Sequence, residues 1–308
     1  MRIALFSDVH ANLNALNAVL ADIETRQVDR ILCLGDMVGY GSRPVEVLAR
    51  LNEVGAEMIM GNHDAAACGK LDYHEDFNPL AAAFMDWTRD TIRADDQKFL
   101  SALPYVIEGE RWSVAHCDMV DPEAFLYLDS ECEARASWLG GTFQVLFVGH
   151  THEAMIHRLN LEDNTYLAAA PQGFVCASSC RYIVNVGSVG FSRDDDYRAP
   201  YVLFDETAGL VTWLRVPYDL DAFANDIETR IPMPHPQMYG LLETRLNMGE
   251  IAMTTEIMLP SSETMAKLAT RRKRARAKAA AGRRPWLWFG LPLMLLAVVL
   301  LGLVWATR

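Results

Sequence analysis

The sequence predicts an α/β fold of two sheets with helices packed outside them, followed by one C-terminal transmembrane helix. Three observations predict it. In the first half of the chain, short β-branched or Leu-rich runs alternate with amphipathic stretches, the pattern of βαβ units. From Val106 onward, short strands separated by turns take over. Residues 286–306, WLWFGLPLMLLAVVLLGLVWA, carry no charged side chain. At ~1.5 Å per residue that run matches the roughly 30 Å hydrocarbon core of a bilayer.

In chain order, a strand over 3–6 leads to a helix over 12–26 with Leu13, Leu16, Leu20 and Ile23 on one face. A strand over 31–34 is followed by a helix that opens at Pro44, a favourable first-turn residue, with Val45, Leu48 and Leu51 apolar. The run 58–60 reads as a third strand, and 79–101 as one longer helical region rich in Ala and aromatics, so the first half implies a largely parallel sheet. Short strands are expected at 111–115, 145–148, 154–159, 165–169, 181–186, 200–204 and 210–216, the last two forming a hairpin through Asp205 to Gly209. Two or three amphipathic helices fill 219–270, broken by Pro232, Pro234 and Pro236. Phe84, Trp87, Trp112 and Trp138 are read as core. The expected divisions are a domain over 1–220, a helical extension over 221–270, a basic juxtamembrane linker over 271–285 and the transmembrane helix over 286–306.

Charge sharpens the membrane reading. The segment 271–284, RRKRARAKAAAGRR, holds eight Lys or Arg and no acid, and only Arg308 follows the apolar run. The positive-inside asymmetry places the large N-terminal part in the cytoplasm. Trp286, Trp288 and Trp305 lie at the two ends of the span, as an aromatic belt would have them. MRIALFSDVH runs directly into a strand and a motif, so no signal peptide is expected. Residues 1–270 carry 19 basic against 40 acidic side chains, a net of −21. A body that acidic repels a nucleic-acid backbone. The basic linker beside the span suits anionic lipid better than nucleic acid. The six cysteines show no C-x-x-C spacing and are expected to be reduced and mostly buried.

The chemistry is concentrated in five ordered blocks: Asp8-Val9-His10, Gly35-Asp36, Gly61-Asn62-His63-Asp64, His116, and Gly149-His150-Thr151-His152. Each follows a run that reads as a strand. Carboxylate oxygen can bridge two divalent ions, and neutral imidazole suits first-row metals. Asp8 and His10, two residues apart, are expected to project from one side of a strand end, and Gly35 is expected to let the backbone approach the ions. Two ions about 3.5–4 Å apart can activate a water and hold the oxygens of a phosphoryl group.

These blocks resemble the calcineurin-like metallophosphoesterases, whose pattern D-x-H, GD, GNH-[D/E], H, GH-x-H is matched throughout over roughly residues 1–220. The small bacterial and archaeal branch is the most similar, on SDVHANLNAL, GDMVGYGSRPVEVL and NVGSVGFSRDDDYRAPYVLFD. The resemblance implies a four-layer α-β-β-α sandwich of two mixed sheets and two divalent ions drawn from Mn, Fe, Zn, Co or Ni. It implies that Asp8, His10 and His152 bind the first ion, that Asp36 bridges, and that Asn62, His116 and His150 complete the second. His63 would donate a proton to the leaving oxygen, with Asp64 orienting it, and the nucleophile would be a metal-bound hydroxide. Cys117-Asp118 departs from the small residue and Ser or Pro usual after this His, which touches nearby substrate contacts. Arg193 is a candidate phosphate ligand, Asp194-Asp195-Asp196 a solvated turn, and His74, His157 and His235 stand outside the site.

The expected function is hydrolysis of a phosphomonoester or phosphodiester. Phosphoprotein, nucleotide or dinucleotide polyphosphate, cyclic nucleotide and lipid-linked phosphate all stay open as substrates. A membrane-tethered scaffold that keeps the fold without catalysis is the alternative.

Overall fold

The computed structural model describes residues 1–194 and 196–232. The expected extension beyond 232, His235, the basic linker and the span 286–306 lie outside the described residues, as does Asp195. Among the described residues no helix is long and apolar enough to cross a membrane.

The first half supplies β1 (Arg2–Phe6), α1 (Leu13–Glu24), β2 (Arg30–Cys33), α2 (Pro44–Glu53), β3 (Glu57–Met58), α3 (Asn62–Ala67), α4 (Tyr73–Asp76), α5 (Pro79–Thr91) and α6 (Ala94–Ser101). After these come β4 (Val106–Glu108), β5 (Trp112–Ala115), α7 (Glu131–Leu139), β6 (Val145–Val148), β7 (Met155–Asn160), β8 (Tyr166–Ala169), β9 (Phe174–Val175), β10 (Cys180–Asn185), β11 (Ala199–Asp205), β12 (Leu210–Val216) and α8 (Leu220–Arg230).

Strand order is β3-β2-β1-β11-β12-β9 in one sheet and β4-β5-β6-β10-β7-β8 in the other. Both sheets are mixed, where the first half had pointed to a largely parallel one. β1, β2 and β3 are parallel, but the β11–β12 hairpin of the second half joins antiparallel beside β1. β5, β6 and β10 are parallel as well, flanked by antiparallel β4 and β7. Their C-terminal ends carry the loops of interest, as in open α/β sheets generally.

Period-2 alternation builds the layers. In β1, Ile3 and Leu5 join Trp112, Val145, Phe147 and Phe204 between the sheets, while Ala4 and Phe6 face Leu16, Leu20, Leu48 and Leu51 of α1 and α2. In β6, Val145 and Phe147 face inward, while Leu146 and Val148 pack on Ala134 and Trp138 of α7. The order is therefore helix, sheet, sheet, helix. Phe84, Trp112 and Trp138 are buried and Trp87 is half-buried.

The single helical region expected over 79–101 is two helices. Ile92 is extended, and the Asp96 carboxylate accepts the Arg93 N–H at 3.0 Å, so α6 opens as a new, capped helix. The six cysteines are free. Cys33, Cys117 and Cys180 are buried and Cys132 is exposed.

Candidate metal centre

The seven predicted ligands are all buried and come together at one edge of the two sheets. Strand alternation does not aim Asp8 and His10, because β1 ends at Phe6. Both lie beyond the strand with left-handed backbones, φ 55° and 47°, as do Asp36 (53°), His150 (66°) and His152 (63°). For residues with a Cβ that conformation costs about 1 kcal/mol or more each and persists only where neighbours impose it. Here Asp8 N, His10 N and Ala11 N donate to Gly35 O, Asp36 O and Met37 O at 2.9–3.0 Å, so two loops continue a ladder past the sheet. Gly35 (φ 93°) is needed for a different close approach from the one expected. A Cβ there would lie 2.6 Å from Gly61 N and 2.8 Å from the His116 Nδ1.

Three imidazoles are fixed in one tautomer. The Nδ1–H groups of His10, His116 and His152 donate to the carbonyls of Val38 (3.1 Å), Leu34 (2.6 Å) and Phe191 (2.7 Å). Each Nε2 lone pair is thereby turned into the site, the arrangement typical of metal-binding histidines. His10 Nε2 and His152 Nε2 approach to 3.0 Å. Burial, with the neighbouring His152 and His63, holds His10 well below its ordinary pKa, and burial with Arg193 does the same for His152. Two facing lone pairs at that distance call for a cation between them.

The carboxylates complete the cradle. Asp8 Oδ2 accepts the His150 N–H at 3.0 Å, while Asp8 Oδ1 is buried without a hydrogen bond, 3.2 Å from His152 Nε2 and 3.8 Å from His10 Nε2. Asp36 Oδ1 accepts the His63 N–H, and its Oδ2 lies 3.6 Å from His10 Nε2 and 3.5 Å from His116 Nε2. One carboxylate oxygen thus stands midway between two imidazole groups. On the far side, Asn62 Oδ1 is 3.2 Å from His116 Nε2, and His150 Nε2 is buried with no partner. Burial opposes ionisation of Asp36, but His116 and His63 hold its pKa well below the usual carboxylate range. Burial likewise opposes charging His116, yet Asp36 and Asp8 push it up to about 9, while burial and His116 push His150 down to about 3. A lone proton on His116 leaves the two buried carboxylates undercompensated. Divalent cations suit that deficit. Two ligand groups, Asp8–His10–Asp36–His152 and His116–Cys117–His150, each bring their donor atoms within 4.8 Å of one another.

A family model described as the calcineurin-like phosphoesterase superfamily domain matches residues 1–209. The chain belongs to the calcineurin-like phosphoesterases. This phosphoesterase is 36% identical over 237 residues to an uncharacterized protein of Methanocaldococcus jannaschii, covering 75% of the chain and 93% of that relative. It is 34% identical to a metallophosphoesterase from Sphaerobacter thermophilus, with a TM-score of 0.68 over 81% of the chain and 100% of that structure. A hypothetical protein from Pyrococcus horikoshii OT3 shares the fold at 17% identity, with a TM-score of 0.63 over 78% of the chain and 97% of that structure. The protein is therefore a metal-dependent phosphoesterase, a hydrolase that acts with two divalent ions on a phosphorylated substrate. The orphan Asp8 Oδ1 and His150 Nε2, and the carbonyl-fixed imidazoles, fit such ions.

The phosphoesterase's cavity opens beside this cradle, with a volume of about 260 Å³. Asp36, Asn62, His63, His150 and His152 form its floor, and Arg193 with Tyr40, Phe77, Phe125 and Tyr127 its walls. His63 stands between Phe77 (ring centroids 4.5 Å apart), Tyr40 and His10 (each 4.8 Å). Burial lowers its pKa against the charges of Asp36 and Asp8. Its Nδ1 is buried against Gly39, which leaves Nε2 as the nitrogen available to the cavity.

Asp64 does not reach the His63 ring. Its carboxylate accepts the N–H groups of Met37 (3.0 Å), Val38 (3.3 Å) and Gly61 (3.1 Å), so it ties the Asp36 loop to the start of α3. Burial and the Asp36 charge raise its pKa to about 7. Arg193 is an exposed residue that lines the cavity, where desolvation opposes its charge but Tyr40 and Tyr127 outweigh it and raise its pKa. Asp194 and Asp196 are not a solvated turn, since Arg215 pairs with both, at 2.5 Å and 3.6 Å, and anchors the loop that carries Arg193. His157 is buried with Nδ1 2.8 Å from the Tyr166 hydroxyl, and His74 is exposed, 3.7 Å from Asp86.

Sequence reasoning missed the aromatic walls and the loop supports. Asn185 Nδ2 donates to Gly149 O (2.8 Å) and Thr151 Oγ1 (2.9 Å), holding the His150–His152 loop. Ser188 Oγ donates to Asp8 O at 2.9 Å. The segment NVGSVGF contained both, and its run of small residues after a strand was the available signal.

Proposed function

We propose that this phosphoesterase hydrolyses small organic phosphate esters, with Asp8, His10 and His152 holding one ion, Asn62, His116 and His150 the other, and Asp36 shared. The observation that carries the assignment is Asp36 Oδ2, 3.6 and 3.5 Å from imidazole nitrogens of the two groups. When bound, the ions supply an activated water and Lewis-acid stabilisation of the phosphoryl oxygens. His63 Nε2 donates a proton to the leaving oxygen, and Asp64 acts at one remove, by positioning the Asp36 turn. Arg193, at the cavity wall, binds a phosphate oxygen and orients the ester. A cavity of about 260 Å³ with aromatic walls suits a nucleotide or another compact ester better than a folded phosphoprotein. A non-catalytic scaffold is disfavoured because every ligand position is filled.

A panel of phosphomonoesters and phosphodiesters, assayed with Mn, Fe, Co, Ni, Zn and Mg, tests the reading. Turnover of at least one class that disappears in Asp36→Asn is expected, and inactivity across the panel would reject it. Within the same proposal, residues 286–306 anchor the protein in a membrane, the basic linker 271–285 lies against anionic lipid, and residues 1–220 face the cytoplasm. The uncharged 21-residue run and the adjoining eight basic residues support this. Flotation of the full chain with vesicles is its test, and recovery in the unbound fraction would refute the tether.

A further inference from the structure

We propose that Cys117 is a thiolate ligand of the second ion, so that this position of the phosphoesterase is a mixed sulfur, nitrogen and oxygen site. The inference rests on the two-ion reading above. Cys117 follows His116 directly and is 1% exposed. Its sulfur, one ring nitrogen of His116 and one of His150 all lie within 4.8 Å of one another. A buried cysteine alone would be ordinary packing, and one side of Cys117 does pack on Met60, Ala65 and Phe125. The second observation is His150, whose Nε2 is buried with no hydrogen-bond partner in the same group. His116 contributes the third donor: its Nδ1 donates to Leu34 O, and its Nε2 faces Asn62 Oδ1 at 3.2 Å and Asp36 Oδ2 at 3.5 Å, both assigned to the same ion. The sulfur therefore stands at the seam between an apolar cluster and the unpartnered imidazole of His150.

The chemistry has a direct consequence. Thiolate is a soft donor that favours zinc, iron or cobalt over manganese or magnesium. Binding replaces the S–H bond by a sulfur–metal bond and releases one proton to water. This would also account for Cys117 standing where a small residue is usual after the histidine.

X-ray absorption at the zinc edge of the full-length, zinc-loaded protein tests the assignment without a variant. A sulfur neighbour at about 2.3 Å is expected beside the nitrogen and oxygen shell. Cobalt-loaded protein should show a thiolate-to-metal charge-transfer band in the near ultraviolet, lost in Cys117→Ser and retained in Cys176→Ser. A purely nitrogen and oxygen shell, with the same cobalt spectrum in both variants, would overturn the sulfur ligand and leave the two-ion site standing. Failure of the protein to bind zinc or cobalt at all would overturn both.

Discussion

At the C-terminal ends of β1, β2, β5 and β6, the protein collects buried carboxylates and imidazoles on left-handed backbones, with polar atoms left unpartnered. At the opposite ends of the same sheets lies a larger cavity, of about 360 Å³, lined by Glu110, Arg111, Gln144 and Glu206. Three of these side chains are hydrogen-bonded: Arg111 donates to Gln144, Gln144 to Ala177 O, and Glu206 accepts from Trp112 Nε1 at 2.9 Å. Both cavities are polar, so size and polarity do not mark the functional one. The clustering does: Asp8 Oδ1, His63 Nδ1 and His150 Nε2 are unsatisfied together, among five polar residues on left-handed backbones, a concentration that a bound ligand would compensate.

Asp36→Asn should break the contrast most sharply. It removes the shared charge, and hydrolysis should fall by several kcal/mol of transition-state stabilisation, about 10³-fold. The metal-free variant should be less stable than metal-free wild type, because the buried Asp36 carboxylate and the His116 imidazole favour each other's charged forms, and the substitution breaks that pair. Steady-state kinetics and thermal melts in chelator check both halves. His63→Ala should lower kcat by about 10²–10⁴-fold while metal content stays at the wild-type level. Loss of metal in that variant would remove the proton-donor role. Asn185→Ala should weaken metal binding by about 10–100-fold, since it frees the loop carrying His150 and His152. A metal titration reads that change.

The remaining two variants probe places where no site is expected. His157 is buried, and burial lowers its pKa to about 4, so the folded protein resists the proton that the unfolded chain accepts near pH 6.5. Stability is therefore lost as pH falls from about 6.5 to about 4, by at most about 3 kcal/mol. His157→Gln should flatten that part of a stability–pH profile without changing metal content. At the opposite cavity, Glu206→Ala should cost about 1–3 kcal/mol of stability through Trp112, and leave turnover and metal content unchanged.

The donors were legible in the sequence and their geometry was not. Asp8, His10, Asp36, Asn62, His116, His150 and His152 stand out because few structural roles place carboxylate, imidazole and amide after successive strands. The 3.0 Å meeting of His10 and His152 depends on two loops 142 residues apart, which no local pattern encodes. The resemblance implied that Asp64 orients His63, but its carboxylate's partners Met37 and Val38 lie 27 and 26 residues away, beyond any local pattern. Tyr40, Phe77, Phe125 and Tyr127 carry no motif in the sequence, and only the folded cavity brings them together. Two sheets with helices outside followed from the strand and helix pattern, and the α-β-β-α order from the resemblance, but helix α7, ECEARASWL, buries only Ala134, Ser137 and Trp138 and gave no apolar stripe to read.

Metal stoichiometry of the full chain, read together with electron paramagnetic resonance of the manganese-loaded form, tests the shared-carboxylate account most directly. It predicts two ions per chain as a spin-coupled pair, with the coupling lost and at least one ion released in Asp36→Asn. A single ion per chain, or a pair whose coupling survives that substitution, would contradict it.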